Sequence, residues 1–83
     1  MSTLVKVYRS PRQQEMYLYV AADDDLQRVP EALLKRFGAP VEALSLELTP
    51  ERKLARAAAG DVLKNIAESG YYLQMPPTIE ALS

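Results

Sequence analysis

Apolar and polar residues alternate in four stretches of the chain, a pattern typical of half-buried β-strands. The stretches cover residues 3–9, 16–20, 41–48 and 71–75. A polar connection at residues 10–15, with Pro11 as its turn residue, predicts that the first two stretches form an antiparallel hairpin. In the third stretch, the side chains predicted to face the core are Leu44, Leu46 and Leu48.

A short helix is predicted at residues 30–38. The segment has a proline in its first turn, where the missing N–H costs nothing, and Gly38 at its C-terminal stop. Its predicted buried stripe comprises Pro30, Leu33, Leu34 and Phe37.

A second helix is predicted at residues 61–69, with Val62, Leu63 and Ile66 facing the core. Gly60 favours a break before this helix, because Gly inside a helix costs about 1 kcal/mol relative to Ala. Gly70 suits the left-handed residue that closes it.

The remaining segments are less defined. Residues 49–52 predict a turn or the start of a short helix, and residues 53–59 fit either a helix or a strand. The proline pair at residues 76–77 ends the fourth strand. Residues 78–83 are predicted to form a frayed helical tail.

Composition limits the classes of function. The chain has 83 residues and contains neither cysteine nor histidine, which excludes disulfides, thiolate zinc sites, imidazole bases and Ser-His-Asp triads. One domain is expected at this length. No apolar run approaches the roughly 20 residues that span a bilayer, and signal-peptide features are missing, so we expect a cytoplasmic protein. The net charge of −1 gives no global attraction to nucleic acid.

Several short motifs together resemble the YcgL domain family of gammaproteobacteria. They are VYRS at residues 7–10, YLYV at 17–20, RVPE at 28–31, RFG at 36–38, KLARA at 53–57 and GYYLQMPP at 70–77. The resemblance covers nearly the whole chain, and the last motif is the most distinctive. Ala58 departs from the family pattern, where an aspartate is usual, which weakens any cap of the last helix.

The resemblance implies an α+β fold over residues 1–83. The expected architecture is a single small α/β/α sandwich, with a mainly antiparallel sheet of about four strands and the element order β-β-α-β-(α)-α-β. The resemblance implies no established enzymatic activity, cofactor or ligand.

The acidic run of Asp23, Asp24 and Asp25 is a candidate for oxygen-ligated magnesium. Neighbouring residues on an extended chain point in different directions, however, and no glycine-rich phosphate loop accompanies them. A solvated turn is therefore the favoured interpretation. We assign no catalytic, metal-binding or cofactor-binding residue from the sequence.

The densest basic cluster comprises Arg52, Lys53 and Arg56, and the first hairpin adds Arg9 and Arg12. If the segment after residue 51 is helical, the first three cations share one side of it. Such a patch predicts weak, strongly salt-dependent contacts with RNA phosphates. The alternative is a solvated surface whose charge is balanced by neighbouring glutamates.

The tyrosines are predicted to lie mostly in the core with their hydroxyls at its rim: Tyr8, Tyr17, Tyr19, Tyr71 and Tyr72. A surface for base stacking is the alternative, but the signature of RNA-recognition sheets is missing. The fourth strand places Tyr72 and Gln74 on one face, and these two are the candidates for a partly exposed contact surface.

Two functions remain open. The first is a small non-enzymatic interaction or adaptor domain, a monomer or weak dimer, that docks an unidentified cytoplasmic protein through residues 52–56 and 70–77. The second is an RNA-associated accessory protein that binds phosphates through the five basic residues. A magnesium-dependent phosphoester hydrolase is a third, more distant alternative.

Overall fold

Strands and helices follow one another in the predicted order, the optional extra helix aside. The described elements are β1 (Thr3–Arg9), β2 (Tyr17–Ala21), α1 (Glu31–Phe37), β3 (Val41–Leu48), α2 (Ala59–Ser69) and β4 (Tyr71–Gln74). This computed structural model describes residues 2–52, 54 and 58–76. The predictions for Lys53, for residues 55–57 and for the tail at residues 78–83 lie outside the described residues.

The described strands form one antiparallel sheet in the order β3-β1-β2-β4. β1 and β2 make the predicted hairpin, in which Val7 lies opposite Tyr19 and Arg9 opposite Tyr17. The chain then adds β3 beside β1 and β4 beside β2. The N-terminal hairpin is therefore the centre of the sheet, and β3 and β4 are its edges.

One face of the sheet is covered by α1 and the turn before it. The buried apolar residues on this face are Tyr8, Met16, Leu18, Val20, Val29 and Phe37. Phe37 is fully buried in the last turn of α1 and anchors that helix to the sheet. The predicted burial of Pro30 is wrong: it is exposed, because it is the N-cap residue and lies before the turns of α1 that pack.

Ser10 joins the β1–β2 connection to the end of α1. Its hydroxyl donates a hydrogen bond to the Phe37 carbonyl at 2.5 Å, and it accepts hydrogen bonds from the backbone N–H groups of Arg12 and Gln13, each at 3.1 Å. Buried polar groups need such partners. These hydrogen bonds link the end of α1 to the hairpin, in addition to the packing of Phe37, so Ser10 has a structural role.

The other face of the sheet is covered by α2. Its buried residues are Val5, Val7, Tyr19, Leu48, Ala59, Val62 and Ile66. Leu63, which was predicted to face the core, packs against them half-buried. Helices on both faces confirm the predicted α/β/α sandwich and the α+β class. In the described part of the chain, neither helix is long and apolar enough to cross a membrane.

The ends of α2 test two glycine predictions. Gly70, with φ of 95°, closes the helix as predicted, and its N–H donates to the Ile66 carbonyl at 2.9 Å. The predicted break at Gly60 is wrong, because α2 begins at Ala59 and includes Gly60. Groups in the first turn have no intrahelical N–H partner to lose, and the burial of Ala59 holds that turn on the core. The N-cap residue Ala58 supplies no side-chain cap.

Candidate functional site

β3 is the longest described strand, and it lies at an edge of the sheet. Its first five residues, 41–45, are all exposed. Natural edge strands hinder pairing with another chain by several means, which include bulges, charged side chains and, typically, lysine or proline. Val41–Leu48 contains neither lysine nor proline. Among the described strands, β3 thus has a neighbour on one side only.

A β-bulge interrupts the pairing of β3 with β1. The consecutive residues Val7 and Tyr8 lie opposite Leu44 and Glu42, so Ala43 is the extra residue. A bulge twists an edge and limits its pairing with other chains. The part of β3 that follows the bulge keeps a regular register, and no described strand pairs with its outer side.

The backbone of residues 44–48, which we call the open edge, alternates in direction. The Leu4 carbonyl accepts a hydrogen bond from the Ala22 N–H at 2.9 Å, so the Leu4 backbone faces β2. Glu47 lies opposite Leu4, and in an antiparallel pair its backbone then points away from β1. The same geometry applies to Ser45, two residues earlier. The N–H and C=O groups of Ser45 and Glu47 therefore point outward from the sheet.

Arg52 forms a hydrogen bond with one of these outward-pointing backbone groups. Its Nη1 donates a hydrogen bond to the Glu47 carbonyl at 3.2 Å, in an exposed position. The chain reaches this position through the predicted turn, where the Arg52 N–H donates to the Thr49 carbonyl at 3.1 Å. Exposed hydrogen bonds of this kind contribute little net stability, because water replaces them easily. The Arg52 side chain therefore protects the end of the open edge only weakly, and the N–H group of an incoming strand can replace it.

A cavity of about 540 Å³ lies beside the open edge, on the α2 face of the sheet. Its lining is mainly apolar and aromatic, with four polar residues. The lining residues are Val7, Tyr17, Tyr19, Ala43, Leu44, Leu46, Leu54, Glu15, Ser45, Arg52 and Gln74. A concave apolar surface with a few polar groups is the usual form of a binding site.

Leu44 is the residue of this region whose exposure differs most from the prediction. It was predicted to face the core, but 51% of it is exposed. It does lie on the α2 face, opposite Val7, but on an edge strand that α2 does not cover at this end. Leu46 is half-buried, and Leu48 is fully buried as predicted. The sequence signal for an open edge was the absence of lysine and proline from this strand.

Gln74 and Tyr72 share one face of β4, as the alternation predicted. It is the α2 face, and the two side chains lie in different environments there. Tyr72 is half-buried and meets the Tyr19 ring edge to face, at 5.8 Å between centroids and 74° between planes. The predicted exposure of Gln74 is wrong, since it is 8% exposed and its Oε1 accepts a hydrogen bond from the Tyr19 hydroxyl at 3.2 Å. Burial, and then the neighbouring Tyr72 and Tyr17, raise the pKa of Tyr19. A contact role for Tyr72 and Gln74 stays a prediction.

The described members of the predicted basic set, Arg9, Arg12 and Arg52, do not line one cavity. Arg52 lines the cavity beside β3, whereas Arg12 lines a second hollow beside α1, with Lys35 and Gly38. Arg9 is exposed at the end of β1, opposite Tyr17. The other two predicted contacts, Lys53 and Arg56, lie outside the described residues.

The acidic run is engaged with the sheet and with its own turn. Asp25 accepts a hydrogen bond from the Tyr8 hydroxyl, and its Oδ2 lies 3.5 Å from Lys6 Nζ. Asp24 Oδ2 lies 3.8 Å from Arg28 Nη1. Burial, with the hydrogen bond to Asp25 as a second cause, raises the pKa of Tyr8 to about 12. Across residues 2–52, 54 and 58–76, acidic side chains form no group of three that would hold a metal ion.

Together these features define a class of protein: a small α+β sandwich domain in which, among the described strands, β3 forms an exposed edge of the antiparallel sheet. A family profile for the YcgL domain matches residues 5–77. A YcgL domain-containing protein of Pseudomonas putida is 57% identical over 77 residues, which are 93% of this chain and 79% of that protein. One of Azotobacter vinelandii is 54% identical over 80 residues, 96% of this chain and 82% of that protein. The chain belongs to the YcgL domain family, as its motifs predicted.

Proposed function

We propose that this domain is a non-enzymatic interaction module that binds an extended segment of a partner protein along the open edge. The observation that carries the proposal is the outward direction of the Ser45 and Glu47 backbone groups on an exposed edge strand. In strand addition, such main-chain groups supply affinity, and alternate side chains supply specificity.

The cavity beside β3 supports this mode of binding. Alternate side chains of an added strand project toward the α2 face, where Leu44 and Tyr17 line the cavity. An apolar side chain placed there is removed from water, which contributes about 25 cal/mol per Å² of apolar area buried. The site thus offers both a strand edge for hydrogen bonds and an apolar cavity for the incoming side chains.

The other edge of the sheet is a poorer candidate. β4 has only four residues, Tyr71–Gln74, and Pro76 follows closely. A proline near the end of a strand removes a donor and stops further pairing. α2 also packs near β4, since Tyr72 lies against the cluster that includes Val62 and Ile66. We therefore assign the binding role to β3.

The described carboxylates favour binding over magnesium-dependent hydrolysis. Asp24 is paired with Arg28, and Asp25 is engaged with Tyr8 and Lys6. A hydrolase would need these oxygens for a metal ion. With no histidine or cysteine in the sequence, we propose a role in binding a cytoplasmic protein.

Matched substitutions of two exposed apolar residues test the proposal. Leu44 is 51% exposed at the open edge, and Met75 is 59% exposed just after β4, at the other edge of the sheet. The wild-type domain, Leu44→Lys and Met75→Lys are immobilised, and proteins retained from a Pseudomonas putida lysate are quantified by mass spectrometry. We expect a protein that the wild type and Met75→Lys retain equally and that Leu44→Lys retains about tenfold less, because a charged side chain at a binding site often costs 1.4 kcal/mol or more.

Circular dichroism establishes that both variants remain folded, as expected for exposed positions. Equal retention of every protein by the three baits would contradict the proposal.

RNA binding is a second candidate, favoured by one observation: Arg52 and Tyr17 line the same cavity. A cation next to an aromatic ring suits a phosphate and a stacked base. The separation of Arg12 from this cavity weakens the candidate.

A further inference from the structure

The two faces of β3 differ in chemistry. Glu47 lies opposite Leu4, and Glu42 opposite Tyr8, so both carboxylates belong to the α1 face. Leu44 and Leu46 belong to the α2 face and line the cavity. The strand carries no lysine or arginine. β3 is therefore acidic along one face and apolar along the other.

No described ion pair neutralises these two carboxylates. The ion pairs within residues 2–52, 54 and 58–76 are Lys6 with Asp25 and Arg28 with Asp24. Two cations of β1 lie opposite β3, Lys6 opposite Ser45 and Arg9 opposite Val41. Lys6 Nζ is held 3.5 Å from Asp25, and Arg9 alternates with Val7 onto the α2 face, away from both carboxylates. Glu47 accepts a hydrogen bond from the uncharged Ser2 hydroxyl at 3.3 Å. The negative charge of the edge is thus available to a partner.

We infer that the partner segment is a strand in which basic and apolar residues alternate. This inference rests on the proposed function and specifies its partner. Residues of the segment that lie opposite Ser45 and Glu47 share the α1 face, so lysine or arginine there meets Glu42 and Glu47. Residues opposite Leu44 and Leu46 share the α2 face and enter the cavity, where apolar side chains are preferred.

A second copy of the domain fits this edge poorly. Pairing of two β3 strands brings four glutamates to one interface, because each strand contributes Glu42 and Glu47 and no cation. Like charges on neighbouring strands are destabilising. The charge pattern therefore selects a basic partner and disfavours self-association through this edge.

Arg52 takes a specific position in this arrangement. Its guanidinium donates a hydrogen bond to the Glu47 carbonyl. A backbone N–H of the incoming strand would donate to the same carbonyl. Removal of the guanidinium frees that acceptor and eliminates one positive charge near the site, which would otherwise repel a basic segment. Binding of a basic strand therefore does not require Arg52, and we expect Arg52→Ala to bind it at least as tightly as the wild type.

A set of short fluorescent peptides tests the inference. The probe alternates lysine and valine; one control alternates glutamate and valine, and the other alternates lysine and serine. The peptides are titrated with the intact domain and followed by fluorescence anisotropy. We expect saturable binding of the lysine–valine peptide alone, since the other two each lack one of the required chemistries.

Matched variants locate the peptide on the domain. The double variant Glu42→Gln, Glu47→Gln is expected to bind the lysine–valine peptide about tenfold more weakly, as two exposed ion pairs are lost. The double variant Glu31→Gln, Glu68→Gln removes two glutamates of the helices and should bind as the wild type does. Peptide binding should also slow hydrogen exchange of the Ser45 and Glu47 amides, because both N–H groups enter the new ladder.

Three outcomes would overturn the inference: equal binding of the glutamate–valine peptide, equal binding by the two double variants, or no protection of the Ser45 and Glu47 amides. If no peptide binds but a lysate protein is lost on Leu44→Lys, the proposed function stands and the inferred partner chemistry is wrong. If both experiments fail, the proposed function fails with it.

Discussion

Tyr8 connects the centre of the sheet to the turn that follows β2. Its ring is buried among the residues that pack under α1, while its hydroxyl donates a hydrogen bond to Asp25. Asp25 has a positive φ of 51°, a conformation that is uncommon in non-glycine residues, less so in aspartate, and that gains from support by the surroundings. The hydrogen bond from Tyr8 and the ion pair with Lys6 supply that support.

We predict that Tyr8 makes the stability of the domain pH-dependent in alkaline solution. An unfolded tyrosine has a pKa of 10.0, whereas burial first, and then Asp25, raise the pKa of Tyr8 to about 12. A raised pKa stabilises the fold fully below about pH 10, and that stabilisation is lost as the pH rises through about 12. The free energy of unfolding, measured by urea denaturation, should fall by up to about 1.4 kcal/mol per pH unit over this range.

Tyr8→Phe should lower the free energy of unfolding by about 1–2 kcal/mol at neutral pH, because Asp25 loses a partner. It should also flatten the alkaline slope. Tyr71→Phe, a half-buried tyrosine on the same face, controls for the loss of a hydroxyl. Parallel pH curves for the wild type and Tyr8→Phe would refute this assignment.

Residue-level prediction from the sequence succeeded for the direction of side chains and for the burial of Phe37 and Leu48, but it failed for the environment of Gln74 and Leu44. Alternation placed Gln74 on the correct face with Tyr72, but its burial depends on the Tyr19 hydroxyl, which a neighbouring strand brings to it. A pattern along one strand carries no information about its neighbours in the sheet. The predicted burial of Leu44 was wrong for the same reason, because its exposure follows from the edge position of β3.

At the scale of elements, α2 offers a matched pair of glycines. A Cβ added at Gly70 would contact the Arg28 side chain, with Nε at 2.7 Å, and φ is 95°. A Cβ added at Gly60 would meet nothing within 4 Å. The two positions are therefore expected to respond to alanine in opposite directions.

We predict that Gly70→Ala destabilises the domain by about 1–3 kcal/mol, the cost of a strained backbone plus the displacement of Arg28. Gly60→Ala should stabilise it by about 0.5–1 kcal/mol, because alanine restricts the unfolded chain and favours a helix. Urea denaturation of both variants measures the two changes. Equal effects of both substitutions would disprove the close contact between Gly70 and Arg28.

The order of the elements was largely predictable, because each has local signals. Gly38 and Gly70 end helices, and alternation marks the strands. The start of α2 was not predictable from Gly60, since the cost of a glycine depends on its position in the helix. The bulge at Ala43 leaves no local signature either, because it arises from the pairing of β3 with β1.

At the scale of the whole molecule, the net charge and the placement of the described cations weigh against RNA binding. The net charge is −1, and Arg12 and Arg52 line separate hollows. We therefore predict no saturable binding of labelled single-stranded RNA at low salt below about 0.1 mM protein, near the weak limit of non-specific contacts. A fluorescence titration at several salt concentrations measures this.

Observed RNA binding would be tested with a pair of charge reversals. If RNA does bind, Arg52→Glu should weaken binding and reduce the salt slope by about one phosphate contact. Lys64→Glu, a charge reversal at an exposed position on α2, should not do so to the same extent. That pattern would promote the RNA candidate above the interaction module.

The position of β4 also has a consequence for how the chain is made. β4 pairs with β2, so Tyr19 and Tyr72 meet across more than half of the sequence. The hairpin of β1 and β2 requires only local contacts and can form while synthesis continues. The α2 face of the core closes only after Gln74 has left the ribosome. Until α2 and β4 are both in place, Val5, Val7 and Tyr19 lack their full cover, and transiently exposed apolar surface of this kind favours aggregation.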